Sequence, residues 1–349
     1  MLAKRVARIP EGDGWIFEPK WDGFRALIFR DGDEILIQSR DGKSLNRYFP
    51  ELLDTLRGAL PEQCVLDGEV VIATGAGLDF DALQLRMHPA ASRVKRLSQQ
   101  TPASMVFFDL LCKGGKDLSS EPFKTRRKQL ESLLSSASPP IHITPATRDH
   151  RIAADWFRRF EGAGLDGVIA KPAAGAYEPD KRVMLKVKHE RDCDCVVAGF
   201  RWHKDAKGTA VGSLLLGLYD EFGTLQHVGV CASFAMEKRR SLVKYLAPYR
   251  KDALSDHPWA GWAENEGANN TGRRPGGQSR WSQGKDLSWE PIRPELVVEV
   301  AYEHMQGDRF RHMAQFRRWR VDKSPDDCTY AQLEVVPPQE LRKIFSESR

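Results

Sequence analysis

The octapeptide Glu18-Pro19-Lys20-Trp21-Asp22-Gly23-Phe24-Arg25 sets a lysine beside a turn and ahead of the apolar run Ala26-Leu27-Ile28-Phe29. A lysine with an ordinary pKa of about 10.4 is protonated near neutrality, so it serves as a nucleophile only where burial or neighbouring cations lower that value. Taken by itself the segment is equally a strand entry with an exposed lysine. In VLDGEVVI, Glu69 interrupts an otherwise almost wholly apolar strand, and an ionised carboxylate there is costly without a partner. It reads either as a core salt bridge or as the partner of a ribose hydroxyl or a metal-bound water. Between Val183 and Lys188 strict alternation puts Lys186 and Lys188 on one face and Val183, Leu185 and Val187 on the other. Two lysines side by side repel unless an anion lies between them. Placed just after Asp166-Gly167-Val168-Ile169-Ala170-Lys171, they point to a polyphosphate pocket. Phe107 and Phe108, at the centre of MVFFDLL, must face opposite ways, so one enters the core while the other lines a pocket. Near the C-terminus Arg309, Arg311, Arg317, Arg318, Arg320 and Lys323 crowd around Phe316 and Trp319. That density suits phosphate contact, or else the solvated face of a helix. These residues together describe a nucleotide-using, phosphate-handling enzyme.

The elements that position them fall into two textures. Up to about residue 190, apolar strands (ALIF, EILIQ, VLDGEVVI, MVFFDLL, DGVIAK, VMLKVK) mix with helical patterns over Pro50 to Leu60, Lys124 to Leu134 and Ala153 to Phe160. Without regular βαβ alternation this is an α+β domain built on antiparallel sheets. From residue 191 the chain turns to short β runs (CVVAGF, SLLLGLY, LQHVGV, ELVVEVAY) and one helix near Lys238 to Leu246, the pattern of a small OB-like barrel. Ser255 to Asp286, rich in Gly, Asn and Arg, reads as a long exposed insert. Its Trp259, Trp262 and Trp281 either tuck against the barrel or offer base-stacking surfaces. A length of 349 residues accommodates two domains, and 41% hydrophobic with 29% charged residues excludes a disordered or coiled-coil chain. No apolar run approaches the roughly 20 residues of a membrane helix and the N-terminus lacks a signal-peptide core, which places the protein in the cytoplasm. The net charge of +5 is not segregated between the two halves, so any nucleic-acid footprint must come from local clusters. The six cysteines are too dilute for a disulfide scaffold. Cys193 and Cys195, with His189 and His203 nearby, could bind zinc, but the run alternates like a strand and has no second pair.

In order along the chain, KWDGFR resembles motif I of the covalent nucleotidyltransferases, SRDG (Ser39 to Gly42) motif Ia, MVFFDLL motif III, DGVIAK motif IV, MLKVK motif V and RFRHMAQFRRWRVDKSPDDC motif VI. The set is similar to the ATP-dependent DNA ligases, in particular the minimal two-domain bacterial type, the ligase C of actinobacteria and the ligase domain of ligase D. The resemblance implies an adenylation domain over 1–190 and an OB-fold β-barrel domain over 191–349, carrying the Gly-rich insert at about 255–286 and motif VI. It implies that Lys20 attacks the α-phosphate of ATP to form lysyl-AMP, with Lys186 and Lys188 gripping that phosphate. Arg25 and Glu69 would hold the ribose, Phe108 would stack on adenine, and Glu18 would lie near the adenine edge. Arg40 would take the 5′-phosphate of the nick, and Arg320 and Lys323 would orient the leaving pyrophosphate. Mg²⁺ or Mn²⁺ would be held by Asp166 and Glu69. Asp166 stands where motif IV ordinarily has Glu, one carbon-carbon bond longer, which puts direct metal contact in question. The implied substrate is nicked double-stranded DNA, and the implied setting is a nucleoid-associated monomer acting in repair or end joining, with end-joining or excision-repair proteins as partners. A capping-type guanylyltransferase or an RNA ligase uses the same lysyl-nucleotide chemistry, and a pseudo-ligase would bind DNA without ever becoming adenylylated.

Overall fold

The computed structural model describes residues 1–74, 77–263 and 286–333. These divide into two compact units, the first Met1–Lys188 and the second beginning at His189. Just past the division Glu190 pairs with Arg317 of the second unit.

In chain order the first unit comprises β1 (Ala3–Arg5), β2 (Trp15–Pro19), β3 (Phe24–Asp31), β4 (Glu34–Ser39), α1 (Pro50–Ala59), β5 (Gln63–Val71), the short β6 (Ala73–Thr74) and β7 (Gly77–Leu78), α2 (Phe80–Leu85) and α3 (Ala91–Gln100). It continues through β8 (Ser104–Lys113), β9 (Lys116–Asp117), α4 (Phe123–Leu133), β10 (Ile141–Ile143), α5 (His150–Arg159), β11 (Val168–Pro172) and β12 (Met184–Val187). Two sheets result: β1-β12-β11-β2, and β10-β8-β5-β3-β4 with β9 on β8. Most neighbours are antiparallel, while β1 on β12 and β10 on β8 are parallel. Pro50 opens α1, where its missing N–H costs nothing, and Leu52 and Leu56 bury one stripe against Ile28, Ile37, Leu66 and Phe107. Full burial of each such side chain is worth about 1.5–3 kcal/mol. The helices α2 and α3 were not anticipated from sequence. In α3 only Val94 and Ser98 are buried, too thin a stripe to stand out.

The second unit carries β13 (Arg191–Trp202), β14 (Val211–Tyr219), β15 (Leu225–Cys231), α6 (Met236–Leu246), the single turn α7 (Ala260–Ala263), β16 (Glu290–Tyr302), β17 (Met305–Gln306), β18 (Arg309–Phe310) and β19 (Gln315–Trp319). Its main sheet runs β15-β14-β13-β16-β19. The expected closed barrel is instead a curled five-stranded sheet whose edges meet through one isolated bridge, Cys231 to Ala314, with Ala314 N–H donating to the Val230 carbonyl at 2.9 Å. The basic C-terminal segment forms the edge strand β19, not a helix face. The expected insert is buried at its start: Trp259 is fully enclosed, its indole N–H donating to the Leu225 carbonyl at 2.7 Å, and it packs edge-on against Trp289 and His227. Residues 264–285, with Trp281, lie outside the described residues. Cys193 and Cys195 point into this core with their sulfurs 3.7 Å apart.

Candidate active site

The strand β2 carries Glu18 and ends at Pro19, one residue before Lys20. The Lys20 N–H donates to the Gly167 carbonyl at 2.8 Å and the Asp166 N–H returns a bond to the Lys20 carbonyl at 2.8 Å, so the two segments share a reciprocal backbone clamp. At Gly167 φ is +127°, and a Cβ there would overlap the Val187 carbonyl oxygen, so only glycine lets β12 approach this closely. Gly23 meets a similar limit, its missing Cβ making room for the Val70 carbonyl and the Glu69 side chain. The nearby Trp21 is buried, with its indole N–H on Thr144 Oγ1 at 2.8 Å.

This backbone packing brings three sequence-distant charges onto one atom. Asp166 Oδ2 accepts from Lys20 Nζ at 2.5 Å and lies 3.1 Å from Lys188 Nζ, and Asp166 is 8% exposed. Lys186 stands on β12 opposite Ile169, which in turn stands opposite Glu18 on β2, so the three residues form one row across the sheet. Lys188 lies just past the end of β12, beyond the strict alternation expected for it.

The second sheet supplies the other wall. Arg25 and Glu69 are directly opposed on β3 and β5. The direct partner of Arg25, however, is Asp67, which takes Nε at 3.0 Å and Nη2 at 2.6 Å in the two-pronged geometry that favours Arg over Lys. Tyr177 donates its hydroxyl to the same Asp67 at 2.9 Å. Burial pushes the Glu69 carboxyl up to about 8, against the opposing pull of the Lys20 and Arg25 charges. Phe107 is fully buried and Phe108 half-buried, its ring under Lys171 Nζ at 4.4 Å and Arg25 at 5.8 Å. Beneath them Glu18 is held by Lys171 at 2.7 Å and Arg127 at 3.3 Å; burial raises its pKa while both cations oppose the rise. Ion pairs, ring contacts and charge coupling thus link Lys20, Asp166, Lys188, Glu69, Arg25, Phe108 and Glu18 across the two sheets. Arg40 lies exposed on the turn after β4.

Residues 1–188 match the ATP dependent DNA ligase domain and residues 207–323 the ATP dependent DNA ligase C terminal region. The chain is 54% identical to DNA ligase C2 of Mycolicibacterium smegmatis over 97% of its length and 94% of that protein's. It is 53% identical to DNA ligase C of Mycobacterium tuberculosis over 96% and 93%. A solved Lig E DNA ligase shares the fold, with a TM-score of 0.54 at 16% identity over 92% of this chain and all of that one.

The chain belongs to the ATP-dependent DNA ligases.

In the second unit of this ligase the motif VI residues form an ion-pair cluster of their own. Arg320 Nη1 bonds both oxygens of Asp194, at 3.0 and 2.9 Å, and Lys323 Nζ reaches Asp194 Oδ2 at 2.9 Å. Arg320 Nη2 meets Asp322 at 2.9 Å, Arg318 meets Glu299 at 2.7 Å, and Arg317 pairs with Glu190. Asp67, Lys171, Arg127, Tyr177 and Asp194 are the polar residues that sequence reasoning passed over. Asp67 carried the one available signal, since it shares with Glu69 a face of the same apolar strand.

The donors around Lys20 also bear on the metal. Among the described residues no group of three or more His, Cys, Asp or Glu side chains gathers. Mg²⁺ commonly takes only one or two carboxylates together with substrate phosphates. Asp166 and Glu69 are oxygen donors of the kind Mg²⁺ takes, and each is coupled to Lys20.

Proposed function

We propose that Lys20 of this ligase becomes adenylylated and passes AMP to the 5′-phosphate of a nick, which the 3′-hydroxyl then seals. The observation that carries the assignment is the Lys20 ammonium bonded at 2.5 Å to a buried carboxylate that Lys188 also touches. A proton acceptor for the nucleophile and a cation for the phosphate stand at one point. Phosphoryl transfer requires little more than in-line positioning and neutralised charge.

In the first step Lys20 Nζ attacks the α-phosphorus of ATP. The ammonium first gives one proton to Asp166; a P–N bond then forms, the bond from the α-phosphorus to the β-bridging oxygen breaks, pyrophosphate leaves, and the second proton on nitrogen passes to solvent. Lys186 and Lys188 take the α-phosphate oxygens. Arg25, fixed by Asp67, and Glu69 hold the ribose; Phe108 stacks on adenine, and Glu18, fixed by Lys171 and Arg127, meets the adenine edge. Arg320 and Lys323 orient the leaving pyrophosphate. In the second step an oxygen of the nick 5′-phosphate displaces Lys20 from AMP, with Arg40 holding that phosphate. In the third the 3′-hydroxyl displaces AMP and closes the strand. Asp166 and Glu69 would hold Mg²⁺ or Mn²⁺, which would supply charge neutralisation on the phosphates when bound. The first unit serves as the adenylation domain and the second as the OB-fold domain. Resemblance to ligase D supports a role in repair or end joining, alongside excision-repair or end-joining proteins, as a monomer in the cytoplasm at the nucleoid.

Intact-mass measurement with and without ATP tests this reading: one added AMP on wild type and none on Lys20→Ala is the expected result. Adduct formation from GTP but not from ATP would point to the guanylyltransferase alternative and overturn the assignment.

A further inference from the structure

Asp194 lies on β13 between Cys193 and Cys195, whose side chains enter the core, and is itself 8% exposed. Its ladder partner on β16 is Glu299, so two carboxylates stand directly opposed. Like charges in that position repel. Arg320 relieves the repulsion by reaching both, at 2.9 Å and 3.4 Å. A single atom, Asp194 Oδ2, then accepts from both Arg320 Nη1 and Lys323 Nζ at 2.9 Å each. Two cations held on one oxygen sit closer than they would in water, where like unit charges about 4 Å apart repel by about 1 kcal/mol, and more at lower dielectric.

The carboxylate that gathers them is itself fixed. The Asp194 N–H donates to Gln332 Oε1 at 2.9 Å, and Gln332 Nε2 donates back to the Asp194 carbonyl at 3.0 Å. The Arg320 main chain is fixed by its N–H on the Val297 carbonyl at 2.9 Å. The remaining partner of Arg320, Asp322, takes Nε at 3.0 Å and Nη2 at 2.9 Å, but its side chain is 61% exposed, so solvent screens the pair and a polyanion competes for it. A polyanion can displace Asp322 while Asp194 stays in place behind the two cations. Lys323 gives Asp194 one of its three ammonium N–H groups.

We infer that Asp194 is a positioning residue for lysyl-AMP formation, its carboxylate setting the spacing at which Arg320 and Lys323 present themselves to pyrophosphate. This rests on the assignment of those two cations to the leaving group. Asp194→Asn keeps the shape and removes the charge that holds both.

The test compares wild type, Asp194→Asn, Arg320→Ala/Lys323→Ala and the triple variant in three assays: lysyl-AMP formation, its reversal by added pyrophosphate, and sealing of a nick already bearing 5′-AMP. Asp194→Asn is expected to slow the first two roughly tenfold, equivalent to about 1.4 kcal/mol, and to leave the third within about twofold. The triple variant is expected to be no slower than the double, because a residue acting only through others adds nothing once they are gone. Unchanged adenylylation in Asp194→Asn, with the double variant impaired, overturns this inference alone. Equal loss in all three assays, or a further loss in the triple variant, makes Asp194 structural and overturns it as well. Normal adenylylation in the double variant removes the pyrophosphate assignment itself, and the inference with it.

Discussion

Two carboxylates, one in each unit, do the same thing with opposite chemical consequences. Asp166 Oδ2 takes Lys20 and Lys188; Asp194 Oδ2 takes Arg320 and Lys323. In the first pair one cation is a lysine that can surrender its proton to the carboxylate and attack. In the second, the guanidinium of Arg320 cannot be deprotonated in a protein, and only Lys323 resembles the lysines of the first. In the proposed mechanism similar geometry serves bond making in one unit and anion binding in the other.

The comparison breaks most visibly at Lys20. Lys20→Ala is expected to abolish the AMP adduct in intact-mass spectra, and Lys20→Arg to fail equally despite keeping the charge, because proton loss is required. An arginine variant that still gains AMP would put the two carboxylates on the same footing. At the second carboxylate, Arg320→Ala with Lys323→Ala is expected to slow adenylylation at least tenfold while a pre-adenylylated nick is still sealed. The expected size follows from losing charge complementarity to a group present only in the first transition state. Rates of both steps on one preparation check it, and equal losses would assign the cluster to DNA or to the fold.

A smaller effect is expected at Asp166. Asp166→Asn should reduce adenylylation several-fold and raise the Mg²⁺ concentration for half-maximal rate, whereas Asp166→Glu should remain active. A Mg²⁺ titration of the Asn variant that superimposes on wild type would remove the metal role.

The smallest effect is a stability slope. The Glu69 carboxyl rises from an ordinary 4.5 to about 8 in the fold. A raised acid contributes stability that is fully present below pH 4.5 and is lost as pH climbs towards 8. In thermal melts of the nucleotide-free protein, Glu69→Gln should therefore gain on wild type progressively between those values. Parallel melting curves across that range would show that Glu69 is not held in this state.

The sequence carried the chemistry of the pocket further than its wiring. Lys20, Glu18, Arg25, Glu69, Phe108, Asp166 and Lys188 were all identifiable, because catalytic residue types recur in short ordered segments beside strands. Their partners were not: Asp67 lies 42 residues from Arg25, Arg127 109 residues from Glu18, and Asp194 126 residues from Arg320. Local periodicity says which face a side chain occupies, but not which distant strand will lie opposite it. The same limit applies to motif VI, whose arginines suited phosphate contact or a helix face, and whose Arg317 and Arg318 stand on a strand paired with β16. Fold class was readable from apolar strands mixed with helical patterns that lack βαβ alternation, while the incomplete closure between Cys231 and Ala314 depends on sheet curvature that no local pattern encodes.

Gly167 links this geometry to how the gene can change. Every single-base substitution that alters a glycine codon introduces either a residue with a Cβ or a stop. At this position the added carbon would collide with the Val187 carbonyl, one residue before Lys188. No one-step mutational neighbour of Gly167 keeps β12 where it is, so drift at this point is closed even though Gly167 contributes no side chain to the reaction. Its neighbour Asp166 has an open path to Glu by a single base change, and the two adjacent codons should therefore differ sharply in a saturation-mutagenesis survey of adenylylation.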